Sequence, residues 1–387
     1  FDLTMSEEAQ PLLDAVKKHI KENVDPITEE YHRLGEGRKE HWGYGDGQLE
    51  LLETAKQKAK DSGLWNFFLP DAETGEGLSN LDYAFIANEL GKSPLASETL
   101  NCSAPDTGNM EVLERVGTPE QKEQWLKPLL NGEIRSAFAM TEPAVPSSDA
   151  KNVCTQAVLD GDEWVINGEK YWNTGLHHAT HDFIFARTSG SPGEGHGITC
   201  FIVPVDTPGF GVEEFMWTFN MPTDHAHVKL TDVRVSNDDI LGEEGRGLQT
   251  AQLFVHENRI RQSASSLGAG LHCIDVAVEH VTNRTVFGKP LASNQAVQFP
   301  LAELATDAEM IRALIWKTAW EMDQGVDHLE ITDKVAMCNY RGNRFCCDAA
   351  DQAMQACGGY GYGRKYPFEH IYRHHRRYRI TEGTEEI

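Results

Sequence analysis

The chain has 387 residues, 40% of them hydrophobic and 25% charged. That composition is ordinary for a globular protein and excludes collagen-like, disordered and disulfide-scaffold classes; at roughly 150 residues per domain, two or three domains are expected. Lys and Arg number 35 against 60 Asp and Glu, for a formal charge of −25, a field that repels phosphate and argues against general nucleic-acid binding.

Residues 1–135 read as helical. Leu12, Val16, Ile20 and Val24 recur at every fourth place and predict one helix face; Pro26 is expected to stop or bend that helix. Pro119–Leu130 predicts another, with Trp125 and Leu129 at helical spacing and Gly132 as its end signal. From 136 to 245 the texture is strand and turn. Ala157–Leu159 and Trp164–Ile166 flank the turn Asp160-Gly161-Asp162, and Asn167-Gly168 reads as a second turn. Phe183–Ala186, Ile198–Val205 and His227–Val235 follow as further strands. Many short strands spaced by turns predict a barrel or sandwich. From 246 to 387 the pattern is helical again, with long stretches at 248–283, 296–322 and 331–357. The expected class is α+β: an N-terminal helical domain (1–135), a central β domain (136–245) and a C-terminal helical bundle (246–387).

No apolar run approaches the roughly eighteen residues that span a bilayer, and Phe1–Glu8 lacks the pattern of a secretory signal. Opening on Phe1, not Met, is what a missing true start would leave. The eight cysteines form no CxxC pair, so a reducing compartment is expected, with each thiol a small buried apolar group.

Several motifs could carry chemistry. Gly358–Gly363 (GGYGYG) follows a helical pattern and no helix clearly opens after it, which fails the test for a dinucleotide fingerprint; a helix cap and a close approach to a ligand both fit. Arg364, Lys365, Arg373, Arg376, Arg377 and Arg379 reverse the local charge, either as a face paired with acids or as a phosphate anchor. His177, His178 and His181 lie in a turn-rich segment, a weak metal pattern, and no metal is expected. Ser147 and Ser148 are in no GxSxG elbow. Glu382 beside Gly383 is the notable carboxylate of the tail.

Taken together and in order, these segments resemble the acyl-CoA dehydrogenases, a flavoenzyme family. The resemblance rests on Phe138–Pro143 (FAMTEP) with Ala144–Asp149, on Ile166–Gly175 (INGEKYWNTG), on Val233–Val235 and Leu241–Gly247, on Arg284–Leu291 with Gln295–Gln298, on Gln355–Gly361, and on Glu382-Gly383-Thr384. It implies three domains, the last a four-helix bundle, with FAD between the β domain and the bundle and a homotetramer or homodimer. It implies α,β-dehydrogenation of an acyl-CoA, with Glu382 removing the α-proton, flavin N5 taking the β-hydride, and electrons leaving to an electron-transfer flavoprotein.

Residue by residue, the resemblance puts Met140, Thr141, Ser148, Trp172, Thr174, Arg284, Phe287, Gln295, Gln355, Gly359, Thr384 and Glu386 at FAD, some of them in a neighbouring subunit's site. It puts Arg259, Thr381 and Gly383 at the substrate. Glu257 is a minor rival base, because some relatives carry the base on the helix near Arg259, where the adjacent residue here is Asn258. Thr381 stands where the family usually has Tyr, which implies a roomier or more polar acyl pocket. His374 replaces an Asp, and Pro146 sits in a loop one residue longer than usual. A bacterial cytoplasm or a mitochondrial matrix fits. A flavin oxidase or monooxygenase on the same fold and a noncatalytic acyl-CoA-binding protein are the alternatives.

Overall fold

The computed structural model describes residues 1–39, 42–69, 75–218 and 225–387. The N-terminal part is helical: α1 (Gln10–His19), α2 (Asp25–Glu36), α3 (Gln48–Asp61), α4 (Asn80–Gly91), α5 (Pro94–Thr99), α6 (Asp106–Val116), α7 (Pro119–Gln121) and α8 (Lys127–Leu130). Pro26 does not stop its helix. A π turn at Ile20–Val24 runs straight from α1 into α2, with Pro26 as the second residue of α2. The same device recurs at Lys122–Leu126, ahead of Pro128 in α8. The wider turn replaces the i→i+4 pattern that a proline ring would break. It also rotates the buried face: Leu13, Val16, Ile20 and Val24 are buried, while Leu12 is half-exposed.

The strands are β1 (Ser136–Ala139), β2 (Gln156–Asp160), β3 (Glu163–Thr174), β4 (His181–Arg187), β5 (Ile198–Pro204), β6 (Phe210–Phe215), β7 (His225–Ser236) and β8 (Ile240–Leu241). They join in one mixed sheet of order β6-β7-β3-β1-β4-β5-β8, and β2 also pairs with β3 and β4. Asn167-Gly168 is not a turn. β3 continues through it with a register shift against β7, and Gly168 is required because a Cβ there would come within 2.4 Å of the Thr155 hydroxyl. Ala137, Ile166, Ile184, Phe201, Val228 and Val233 form the heart of the β core.

The C-terminal part is helical again: α9 (Gly247–Ala251), α10 (Val255–Asn283), α11 (Gln295–Asp323), α12 (His328–Cys357), α13 (Gly359–Tyr362) and α14 (Phe368–Arg376), with a small hairpin of β9 (Thr285–Val286) and β10 (Lys289–Pro290) between α10 and α11. The architecture is therefore an N-terminal helical region, a central sheet and a C-terminal helical bundle.

By contacts the chain forms two compact units built from distant segments. The helical unit comprises residues 1–36, 46–100 and 256–387, and the β unit comprises 37–45 and 101–255. In the helical unit α4 and α10 meet backbone to backbone. A Cβ on Gly91 would strike the Ser265 carbonyl at 1.8 Å, and one on Gly268 would strike the Asn88 carbonyl at 1.8 Å. The Asn88 amide donates to the Ala264 carbonyl across this contact at 3.2 Å. Asp323, at the end of α11, accepts from the Asn80 and Leu81 amides at 2.8 and 3.0 Å and so caps α4. In the β unit Asp106 accepts from the Ser136 amide and hydroxyl at 2.8 and 2.6 Å, which fixes the start of β1.

All eight cysteines are free thiols and six are buried, but Cys154 is exposed and Cys102 half-buried. Cys154 lies just ahead of β2, with its sulfur 3.1 Å from the Asn152 carbonyl. The three histidines are parted by aromatic neighbours: His177 stacks on Phe215, His178 on Tyr44, and His181 lies against Trp125. Among the described residues no group of three metal-ligating side chains exists, and no helix is long and apolar enough to cross a membrane.

Two buried titratable clusters bear on β3. Lys170 has no accessible side-chain surface, and its ammonium donates to Glu142 at 2.9 Å and to the Met140 carbonyl at 3.0 Å. Glu142 also accepts from the Cys154 and Thr155 amides at 2.8 and 2.9 Å. Burial pushes its carboxyl upward, but Lys170 and these amides outweigh it and hold the group below its ordinary range. Asp182, fully buried on β4, accepts from Asn173 at 2.5 Å, and its second oxygen has no partner. Burial raises it from 3.8 to about 7.

Lys170→Met should lower unfolding stability by about 3–5 kcal/mol in urea titrations, because it strands a buried carboxylate. Lys170→Met/Glu142→Gln should recover part of the loss, since it removes the stranded charge while the Gln oxygen still accepts from one of the two amides. At Asp182 the folded chain holds a proton that the unfolded chain releases, so stability is fully present below about pH 4 and falls as pH rises to about 7. Thermal unfolding of Asp182→Asn should lack that component of the slope; an unchanged slope would show that Asp182 is ionised when folded.

Candidate active site

In the β unit, the end of β1 runs beside the C-terminal half of β3. Phe138 is in register with Thr174, and the Tyr171 amide donates to the Thr141 carbonyl at 2.8 Å. Met140 and Thr141 thus lie next to the stretch that carries Trp172 and Thr174. β3 bulges against β7 between Lys170 and Asn173. Trp172, in the bulge, takes φ +55 and leaves 48% of its surface exposed. A bulky residue in the left-handed region is costly; here it turns a large flat ring outward. Tyr171 and His225 stand edge-on to that ring at 5.4 and 5.6 Å.

The Thr174 hydroxyl lies 3.0 Å from His225 Nδ1. His225 was not singled out by sequence, and its only signal is its place opposite Thr174 in the β3–β7 register. In the loop after β1, Ser147 is the bonded serine: its hydroxyl accepts from the Glu142 amide at 3.0 Å and donates to the Val145 carbonyl at 3.3 Å. Ser148 is exposed.

In the helical unit, Arg377–Arg379 form a 3-10 turn, and Glu382 (φ +64) and Gly383 (φ +101) then reverse the chain. The turn brings the Glu382 carboxylate onto the first turn of α10. Asn258 donates to Oε1 at 2.8 Å, and Arg259 Nε lies 3.4 Å from Oε2. The side chain keeps 28% of its surface. Desolvation raises its pKa above the ordinary carboxylate range, and Arg259 and Asn258 only partly offset this. The Thr381 hydroxyl donates to the Arg377 carbonyl at 2.9 Å.

This C-terminal turn is anchored by Glu385, which sequence reasoning passed over in favour of Thr384 and Glu386, both exposed. Glu385 binds Arg379 at 2.7 and 3.0 Å and Arg344 at 2.5 Å, with 4% of its side chain accessible. The signal was an acid three residues after the candidate base, within reach of a basic stretch.

The remaining candidates gather at the far ends of α10 and α12. Arg284 lies over the Tyr360 ring at 5.3 Å, and His280 Nδ1 is 2.8 Å from the Tyr366 hydroxyl; these four residues line a groove of about 380 Å³. Gln355 and Gly359 are exposed. A short helix, α13, does open at Gly359, contrary to the sequence expectation. Gly358 ends α12 at φ +59, and Gly361 packs on the Met354 backbone, where a Cβ would meet the carbonyl at 2.4 Å. Phe287 is fully exposed at the tip of the β9–β10 hairpin, where Phe287-Gly288 takes φ +52 and +77, the signs of a primed turn. Gln295, the first residue of α11, is exposed as well.

Three family models match in order: the N-terminal domain of acyl-CoA dehydrogenase over residues 6–133, the middle domain over 137–233 and the C-terminal domain over 245–387. A Mycobacterium tuberculosis protein named "Probable acyl-CoA dehydrogenase FadE2" is 38% identical over 394 residues, covering 100% of this chain and 95% of that protein. Acyl-CoA dehydrogenase family member 11 of Gallus gallus is 36% identical over 99% of this chain; the chain spans 49% of that longer relative. A Mycobacterium abscessus structure superposes with a TM-score of 0.92 at 34% identity, covering 99% of this chain and 96% of the other. Butyryl-CoA dehydrogenase from Megasphaera elsdenii superposes with a TM-score of 0.82 at 28% identity, covering 100% and 97%. With three family models matched in order and a relative 38% identical over the full length of this chain, the chain belongs to the acyl-CoA dehydrogenase family and is an oxidoreductase.

Proposed function

We propose that the chain oxidises an acyl-CoA thioester to its α,β-unsaturated product, with Glu382 as the base. The observation that carries this reading is the Glu382 carboxylate, hydrogen-bonded to Asn258 and set beside the Arg259 guanidinium on a turn that takes a left-handed backbone to build. A base for a carbon acid should be ionised and poorly hydrated, because a water-covered carboxylate is a weaker acceptor. The Cα–H bond breaks toward Glu382, its electron pair becomes the Cα=Cβ bond, and the β-hydride leaves. FAD, when bound, supplies the two-electron acceptor for that hydride.

The residues present fit such a group. Trp172 offers an uncovered aromatic face, Thr174 a hydroxyl beside it, and the loop after Met140 a strand end tied down by Lys170. Arg284 and the backbone at Gly359, where added atoms meet open space, suit a diphosphate. The other FAD candidates, Thr141, Ser148, Phe287, Gln295, Gln355, Thr384 and Glu386, belong to this reading by family position, as do Thr381 and Gly383 at the substrate. Exposed Phe287, Phe299 and Met310 support a homo-oligomer, in which a second copy would cover them. Electron-transfer flavoprotein is the proposed acceptor, and free thiols throughout suit a bacterial cytoplasm or mitochondrial matrix.

Anaerobic addition of the right acyl-CoA should bleach the flavin absorbance. Glu382→Gln should retain flavin and slow bleaching by about 10²–10⁴-fold; retained turnover would remove Glu382 as the base. The exposed Thr381 predicts an acyl pocket open at the place where the family carries an aromatic ring. Thr381→Tyr should lower kcat/KM for bulky or long acyl chains by about tenfold or more relative to short ones, and an unchanged chain-length profile would dismiss the pocket reading.

A further inference from the structure

We propose that Asn258 is a positioning residue for the base: its amide fixes Oε1 of Glu382 and leaves Oε2 as the oxygen that receives the substrate proton. This rests on the reading of Glu382 as the base and adds to it a group that assigns separate tasks to the two oxygens. Asn258 and Arg259 are successive residues on α10, so their side chains diverge by about 100° around the helix. They reach one carboxylate only because the Glu382 turn lays it across that helix end. The contacts are unequal. The amide bond to Oε1 is 2.8 Å, a full hydrogen bond, whereas Arg259 Nε stands 3.4 Å from Oε2, beyond the usual range for a charge-assisted bond. Oε1 is therefore committed, and Oε2 is the freer lone-pair site.

The choice of an amide also has a chemical reason. A second cation beside Arg259 would make the carboxylate too weak an acceptor for a proton on carbon, and an apolar residue would leave it too little favoured over the neutral acid. A neutral donor lies between these. The other titratable groups on the surrounding elements are engaged elsewhere. His256 stacks on His328 at 3.6 Å, Arg379 and Arg344 bind Glu385, and Arg377 lies over the Tyr378 ring at 5.1 Å. On α10, Glu257 precedes Asn258. Arg259 is thus the charge that meets Glu382 directly, and Asn258 is the neutral partner that sets its orientation.

The test is an infrared pH titration of the flavin-loaded enzyme, with Glu382→Gln as the blank that identifies the carboxyl band. Asn258→Leu should move the protonation midpoint of Glu382 up by about one pH unit, a tenfold rise in proton affinity, and should carry the acid limb of kcat/KM with it. Asn258→Asp, of equal size, should move it further, because a like charge then faces Oε1. Asn258→Gln, which keeps the amide, should restore most of the midpoint. If the Leu and Asp variants titrate as the parent does, the proposal is overturned, whatever happens to their turnover; should Asn258→Leu lose its flavin, the Asp and Gln variants decide by the same reading. Bleaching that survives Glu382→Gln would overturn the base assignment and with it the proton-receiving task of Oε2, an outcome distinct from an unmoved infrared midpoint, which reads the Asn258 contact without reference to catalysis.

Discussion

An ammonium group without access to water has to be met by protein charge and dipoles, and Lys170 meets that condition by drawing three pieces of chain together. Glu142 neutralises it, the Met140 carbonyl takes a second bond, and Glu142 in turn collects the amides ahead of β2. Removing either ion would leave the other uncompensated in a low-dielectric interior. The end of β1 and the bulged part of β3 are thereby held against each other, although they are thirty residues apart. That bulge then turns Trp172 outward. The side chains expected at the flavin do not organise themselves; a pair beneath them does.

The helical unit solves the corresponding problem from the chain's end. Here Glu385 is clasped by Arg344 from α12 and Arg379 from the preceding turn, so the five residues between that turn and Glu385 are held at both ends. The left-handed Glu382 is tolerated because both sides of it are fixed. The local reversal of charge around Arg373–Arg379 in an acidic chain is thus put partly to internal use, since Arg379 binds Glu385 and Arg373 lies 3.6 Å from Glu369.

Much of this was legible in residues, and the gaps have physical causes. The helical–β–helical order follows from periodicity and turn chemistry, and the motifs around Met140, Trp172, Arg284 and Glu382 carried the family resemblance. Pro26 does not stop its helix because a proline breaks an i→i+4 ladder, and a π turn evades that ladder. Asn167-Gly168 misled because a glycine needed for close packing on Thr155 has the same letters as one needed for a turn. Lys170 and His225 were invisible for a third reason. Their partners, Glu142 and Thr174, lie 28 and 51 residues away, and no local pattern announces a long-range bond.

The glycine contact between α4 and α10 bears on how the chain assembles. Asn88 and Ala264, bonded across it, are 176 residues apart, and Asn80 and Asp323 are 243 apart. During synthesis the first four helices leave the ribosome long before the helix they must pack on exists. They wait with an apolar face exposed while the whole β unit is made. The entropy of closing so long a loop grows only logarithmically, and an already folded β unit would shorten the effective loop further. A methyl group at Gly91 or Gly268 would thus act late, blocking the final docking of two preformed halves while leaving the sheet free to form.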